Sequence, residues 1–116
     1  MQQIFVELYN YTPAWSKCSE QERTDFAKTV IDAVNGLKSD GVDVIAFGKN
    51  SLETDRRAPY DFFCVWRVPS AEFQRNFERR ITASGWYNYF EQVNVSGLAE
   101  DFAAVLLGNA KMVRPG

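Results

Sequence analysis

The sequence predicts an α+β fold, in which two long helices lie on one face of a four-stranded antiparallel sheet. Four short segments are rich in β-branched and aromatic residues, which is typical of strands. Between the first and second segments, and again between the third and fourth, apolar residues recur at spacings of three and four, which is typical of helices. The order is therefore β-α-β-β-α-β with a further helix at the end. The 116 residues suffice for one domain spanning 1–116.

The first half of the chain predicts a strand, a helix and a second strand. In residues 3–11 ("QIFVELYNY"), side chains of two kinds alternate along the chain, which predicts a strand. Residues 12–18 are predicted to be a connecting loop. Ser19 and Glu22 have the spacing of a capping box, which opens a helix that continues up to the second strand. Residues 42–48 ("VDVIAFG") are nearly all apolar, so we expect a central strand covered on both faces.

The second half predicts a strand, a helix, a strand and a final helix. A charged, turn-rich loop over residues 49–59 leads to the third strand, residues 60–68. Ser70 is placed to cap the second long helix. The fourth strand is expected over residues 86–95, within the aromatic stretch "SGWYNYFEQVNVSG", and Ser96 is expected to cap the last helix.

This order of elements is the ferredoxin-like pattern, in which right-handed crossovers place both long helices on one face of the sheet. The opposite face is predicted to be apolar whichever side chains it carries. If Ile4, Val6 and Leu8 face the helices, for example, Phe5 and Tyr9 lie on the other side. Such a face is too apolar to be left in water. Either the terminal helix or a partner subunit must cover it, and we favour a partner.

Composition excludes several classes of function. The chain has no histidine, which removes the commonest general base and the commonest metal ligand. We therefore expect no metal and no cofactor. The net charge of −2 gives no basic surface for nucleic acid, and no apolar segment is long enough for a membrane. Cys18 and Cys64 form no CxxC motif, so we interpret them as reduced thiols in a cytoplasmic protein.

Glu7 and Arg67 are the candidates for catalytic chemistry. The first and third strands are neighbours in the predicted sheet, so the two side chains could lie on one face. They would then form either a structural ion pair or an acid–base pair in a pocket. Because the chain lacks histidine, a buried Glu is the plausible substitute as a base.

A set of aromatic side chains is the candidate for ligand binding. These residues, with an amide to orient a ligand, are Tyr9, Trp66, Trp86, Tyr89 and Asn94. They suit a flat apolar or aromatic molecule. They equally suit a core and a subunit interface that bind nothing.

Four motifs also carry a resemblance: "FVELY", "PAW", "FFCVWRVP" and "SGWYNYFEQVN". Together they resemble a small uncharacterised family of dimeric α/β-barrel proteins, in a superfamily with the antibiotic-biosynthesis monooxygenases, EthD-like proteins and muconolactone-isomerase-like proteins. The resemblance implies a homodimer whose two sheets close into a barrel. It carries over no catalytic residue.

Two functions stay open at this point. One is a homodimer that binds a small apolar or aromatic metabolite, with cofactor-independent oxygenase or isomerase chemistry as its candidate activity. The other is a non-catalytic dimeric module whose barrel interior is solidly packed. A cavity beside Glu7 and Arg67 would distinguish them, because the enzyme hypothesis fails without one.

Overall fold

In the computed structural model, which describes residues 2–115, the predicted strands and helices all occur in the predicted order, with one further short helix after the first strand. The strands and α-helices of this range are β1 (Gln3–Tyr11), α1 (Pro13–Lys17), α2 (Glu20–Leu37), β2 (Asp43–Lys49), β3 (Phe62–Val68), α3 (Ala71–Ala83), β4 (Phe90–Leu98) and α4 (Phe102–Asn109). Two short 3-10 turns lie at Lys38–Asp40 and Trp86–Asn88. The predicted α+β class is confirmed.

The sheet is antiparallel throughout and has the strand order β2-β3-β1-β4. β1 is central and pairs with both β3 and β4. In this register Glu7 lies opposite Cys64 on β3 and opposite Asn94 on β4. Residues opposite one another in antiparallel strands point to the same face, so these three side chains share one side of the sheet.

The helices begin where capping side chains predict. Ser19 accepts a hydrogen bond from the amide of Glu22, whose carboxylate accepts one from the amide of Ser19, so the capping box is confirmed. Ser70 caps α3 through the amide of Phe73. Residues 12–18, expected to be a loop, contain the short helix α1, because Thr12 also caps a helix and a proline follows it.

The core lies between the sheet and the two long helices. β1 and β3 alternate between buried and half-buried residues, and their buried side chains include Phe5, Tyr9 and Trp66. Phe77 on α3 packs edge-on against Phe5 and Trp66, with ring centroids 6.2 and 5.0 Å away. Leu37 on α2 belongs to the same core. Glu7 and Tyr9 therefore face the helices.

The expectation that the second strand is central and doubly covered is wrong. β2 is an edge strand that pairs only with β3, and its Phe47 is 60% exposed. An unbroken apolar run does not distinguish a strand buried on both faces from an edge strand whose apolar side chains stay exposed. The pairing with β3 is also irregular between Val44 and Ala46.

The expected limits of the fourth strand and last helix are also wrong. Gly85 adopts φ +87° and leads into the 3-10 turn, so β4 starts at Phe90 rather than Trp86. Ser96 lies within β4, because β1 offers pairing partners as far as Leu98. Asp101, not Ser96, caps α4 by accepting from the amide of Ala104.

The second face of the sheet is apolar and uncovered. Ile4, Val6 and Leu8 lie there half-buried, while Val95 on β4 is 64% exposed. Among residues 2–115, α4 does not cover this face, since its own apolar side chains are exposed, including Phe102 at 80%. The terminal helix was one of the two elements expected to cover this face, and it does not cover it within a single chain.

Candidate functional site

A partly open cavity of about 850 Å³ lies between α2 and the helix-facing side of the sheet. Each surrounding element contributes side chains: Glu7 and Tyr9 from β1, Phe26, Val30 and Val34 from α2, Phe47 from β2, Phe62 and Trp66 from β3, Phe77, Arg80 and Ile81 from α3, and Trp86 from the turn before β4. The apolar side chains of α2 reach the cavity because they recur every three or four residues along one face of the helix.

Aromatic rings from every surrounding element line the wall and support one another. The Tyr9 and Trp86 rings meet edge to face, with centroids 5.3 Å apart at 71°. Trp86 also packs on Phe90 at 4.2 Å and stacks with Phe26 at 6.3 Å. Tyr9 lies 4.5 Å from Phe62 on the other side. Each ring is held by others, so the wall has a defined shape without a ligand.

Glu7 lies at the floor of this cavity and is only 2% exposed. Its Oε1 accepts hydrogen bonds from the Tyr9 hydroxyl at 2.9 Å and from the indole N–H of Trp66. Its Oε2 accepts from the side-chain amide of Gln92. Gln92 Oε1 in turn accepts from the indole N–H of Trp86 at 2.9 Å. The network joins Glu7 to aromatic side chains from three elements.

Burial raises the pKa of the Glu7 carboxyl above its ordinary value of 4.5, and the three hydrogen bonds only partly oppose this. Desolvation outweighs them because the donors are neutral and water is excluded. The pKa of Tyr9 is raised by burial and by the neighbouring Glu7. Burial also raises the pKa of the Cys64 thiol to about 12, with Glu7 contributing. The site therefore disfavours any further negative charge.

The aromatic residues predicted from the sequence occupy different positions around the cavity. Tyr9, Trp66 and Trp86 line it. Tyr89 packs outside the lining, with its ring 5.0 Å from Phe26. Asn94 is exposed on β4, where its Oδ1 accepts from Gln92 at 2.8 Å. Their binding of a ligand stays a prediction, and Asn94 would act only through Gln92.

The expected pairing of Glu7 with Arg67 is wrong. Arg67 lies opposite Ile4, an odd number of residues from Glu7 along β1, so its side chain is on the opposite face of the sheet. There its guanidinium forms a salt bridge with Asp43 at 3.1 Å and donates to Gln2 at 2.9 Å. Neighbouring strands alone do not place two side chains on one face, because the register also decides it.

Sequence reasoning missed Gln92 and the two cations at the cavity, Lys49 and Arg80. Gln92 shares a side of β4 with Asn94, two residues on, and this alternation was the available signal. It could not be used without the register, which puts Gln92 opposite Tyr9. Arg80 lies on α3 among exposed charges, and the sequence contains no sign that one of these arginines reaches the cavity.

Within residues 2–115, no three or more His, Cys, Asp or Glu side chains are grouped so that they could hold a metal ion. The helices of this range are all too short or too polar to cross a membrane. Cys18 and Cys64 are both free thiols.

Comparison with known families gives a match over nearly the whole chain. The model described as "Family of unknown function (DUF6616)" matches residues 2–112, so the chain belongs to this family. No curated protein and no solved structure matches the chain. Membership of the dimeric α/β-barrel superfamily, which the motifs suggest, stays a prediction.

Proposed function

We propose that this member of DUF6616 binds a small apolar or aromatic molecule in the cavity between α2 and the sheet, with Glu7 as its buried acidic contact. The observation that carries the proposal is an aromatic cavity of about 850 Å³ around a buried carboxyl. This volume falls in the range of small-molecule sites, which are mostly apolar with a few placed polar groups.

The size of the cavity supports a ligand over a packing defect. Proteins generally contain few spaces larger than a water molecule, and apolar side chains around a partly open cavity meet water instead of packing partners on that side. Here aromatic rings from every surrounding element face the space. A ligand with an apolar body would supply the missing contacts without displacing a side chain.

The test uses the three tryptophans, since Trp15, Trp66 and Trp86 all line the cavity. We expect 4-phenylbutan-1-ol to shift the indole N–H signals of Trp66 and Trp86 in a nitrogen-15 NMR spectrum. Val30→Trp, which fills the cavity from α2, should abolish the shifts. Asp32→Trp adds the same side chain to an exposed position of α2 and should leave them unchanged. Absence of shifts in the wild-type protein would overturn the proposal.

A catalytic role for the site rests on Glu7. Burial raises the pKa of Glu7, and a buried carboxyl of this kind holds its proton to higher pH than an exposed one, which suits it to accept or donate a proton. This favours the isomerase chemistry of the two candidate activities, since moving a proton needs only such a group. The alternative, a non-catalytic dimeric module with a solidly packed barrel interior, predicts neither binding nor turnover.

We further propose that the fold is ferredoxin-like and that the protein is a homodimer in which a second copy covers the apolar face of the sheet. The strand order β2-β3-β1-β4, with α2 and α3 both packed on the other face, supports the first part. The uncovered apolar residues of β1 and β4 and the unpacked side chains of α4 support the second. A twofold axis would let each copy supply both surfaces.

A further inference from the structure

We propose that the ligand of this cavity is a cation: a primary or secondary amine on an aromatic or apolar body, bound with its ammonium group against Glu7. This inference rests on the proposed ligand site and names the chemical class that the site selects. It follows from the hydrogen bonding of Glu7, from the charges around it and from the aromatic wall.

The hydrogen bonding of Glu7 leaves it uncompensated. An ionised carboxylate offers about four acceptor sites, and three are used, by Tyr9, Trp66 and Gln92. All three donors are neutral, and neither of the salt bridges found within residues 2–115 includes Glu7. Oε2, which accepts one bond, has room for a second donor.

Within residues 2–115, the titratable groups coupled to Glu7 supply no positive charge that could neutralise it. The titratable groups that influence Glu7 or respond to it are acids: Tyr9 on β1, Cys64 on β3, Tyr87 in the turn before β4 and Glu78 on α3. The side chains of α2 that line the cavity carry no charge. A buried charge without a partner is costly, and a ligand cation would remove that cost.

Two cations do line the cavity, on α3 and β2, but they are poorly placed to act inside it. Arg80 and Lys49 are both exposed, so solvent and salt screen their charges. Glu7 is 2% exposed and is not screened in this way. The interior field of the cavity is therefore set by the carboxylate.

The aromatic wall favours the same ligand. The rings of Tyr9, Trp66 and Trp86 belong to side chains that line the cavity and connect through hydrogen bonds to Glu7. An ammonium group within about 6 Å of such ring faces is attracted by their quadrupoles, most strongly by Trp. The phenyl or alkyl body of the ligand would pack on Phe26, Phe47 and Phe62 further out.

The experiment compares three probes with one apolar body and different charge: 4-phenylbutylamine, 4-phenylbutan-1-ol and 4-phenylbutyrate. We expect the amine to bind at least about tenfold more tightly than the alcohol, and the carboxylate to bind more weakly than both. Calorimetry gives the affinity for each probe, and shifts of the indole N–H signals of Trp66 and Trp86 show whether it binds in the cavity. These comparisons use the wild-type protein and need no variant.

Two further measurements separate a charge effect from a packing effect. Glu7→Gln should remove the preference for the amine over the alcohol, whereas Glu91→Gln, at an exposed site on β4, should leave that preference unchanged. The preference should also shrink as the pH falls through the pKa of Glu7, because protonation removes the negative charge that distinguishes the two probes.

The outcomes distinguish this inference from the proposed function. If the alcohol binds as tightly as the amine, or the carboxylate binds best, the cationic ligand is wrong while the cavity remains a binding site. If no probe shifts the two indole signals, the ligand site itself is wrong, and the inference is lost with it.

Discussion

Glu7 is a carboxyl group that the fold removes from water, and this has a consequence for stability. Its pKa is raised in the folded protein by burial, so its stabilising contribution is present below the unfolded value of about 4.5 and is lost as pH rises through the folded value. Each unit by which the folded pKa exceeds the unfolded pKa corresponds to about 1.4 kcal/mol in the free energy of unfolding.

We predict that Glu7→Gln stabilises the protein more as the pH increases. Glutamine resembles the protonated acid and stays neutral, so the Tm of the variant relative to wild type should be higher near about pH 8 than near about pH 4.5. Thermal unfolding monitored by circular dichroism measures the Tm of each protein at the two pH values. Glu91→Gln should show no such trend. A Glu7→Gln variant that is less stable than wild type by the same amount at both pH values would contradict the prediction.

The two thiols differ in environment, which predicts different reactivity. Cys64 is fully buried in β3, and its pKa is raised to about 12. Cys18 is half-buried at the end of α1. Since the thiolate is the reacting form, we expect Ellman's reagent to modify one thiol per native chain rapidly and the second only on unfolding. Cys18→Ser should remove the rapid phase, and equal rates for both thiols would contradict the assignment.

At the scale of elements, replacing either of two glycines near the end of α2 with alanine should have opposite effects on the free energy of unfolding. Gly41 ends the 3-10 turn after α2 with φ +88°, and a Cβ there would lie 3.3 Å from Pro69 Cγ. Gly41→Ala should therefore destabilise the protein by about 1–2 kcal/mol. Gly36 is inside α2 with no atom within 4 Å of a Cβ, so Gly36→Ala should stabilise it by roughly 0.5–1 kcal/mol.

Urea unfolding of both variants measures these differences. Each variant serves as the control for the other, since the substitution is the same and the positions are five residues apart. Equal effects of the two substitutions would contradict the role assigned to the left-handed conformation of Gly41.

Elements set by local chemistry were predictable, whereas those set by pairing were not. The capping residues Ser19 and Ser70 determine where α2 and α3 begin, because the side chain and the amide that it binds are three residues apart. The extent of β4 depends on β1, which is distant in sequence. The edge position of β2 likewise depends on which strands pair.

The residues of the candidate site also divide into those that residue type predicts and those that depend on strand pairing. Glu7 and three of the aromatic residues were identifiable by residue type, because a chain without histidine offers few other bases and its tryptophans are few. Arg67 was assigned to the wrong face and Gln92 was missed, since both depend on the register between strands. Residue type indicates which groups can react or bind, and register decides which of them meet.

At the scale of the whole molecule, the chain is more extended than its length requires. Its radius of gyration is 16.7 Å, against about 13 Å for a compact domain of 116 residues. The longest axis measures 52 Å and the shortest 25 Å. The exposed apolar side chains of α4 favour an arm that packs on another molecule, because an apolar surface of this kind is seldom left in water.

We predict that the protein is a dimer, with a mass by light scattering of twice the 13.3 kDa chain. Val95→Lys on the uncovered sheet face and Leu106→Lys on α4 should each give the monomer mass, because each would bury a charge in the proposed interface. Leu52→Lys, in the loop before β3 and 85% exposed, should leave the dimer intact. Since Val95 and the cavity lie on opposite sides of the sheet, the monomeric Val95→Lys variant should still bind 4-phenylbutan-1-ol. A wild-type protein of monomer mass would mean that its apolar sheet face and α4 do not pair with a second copy.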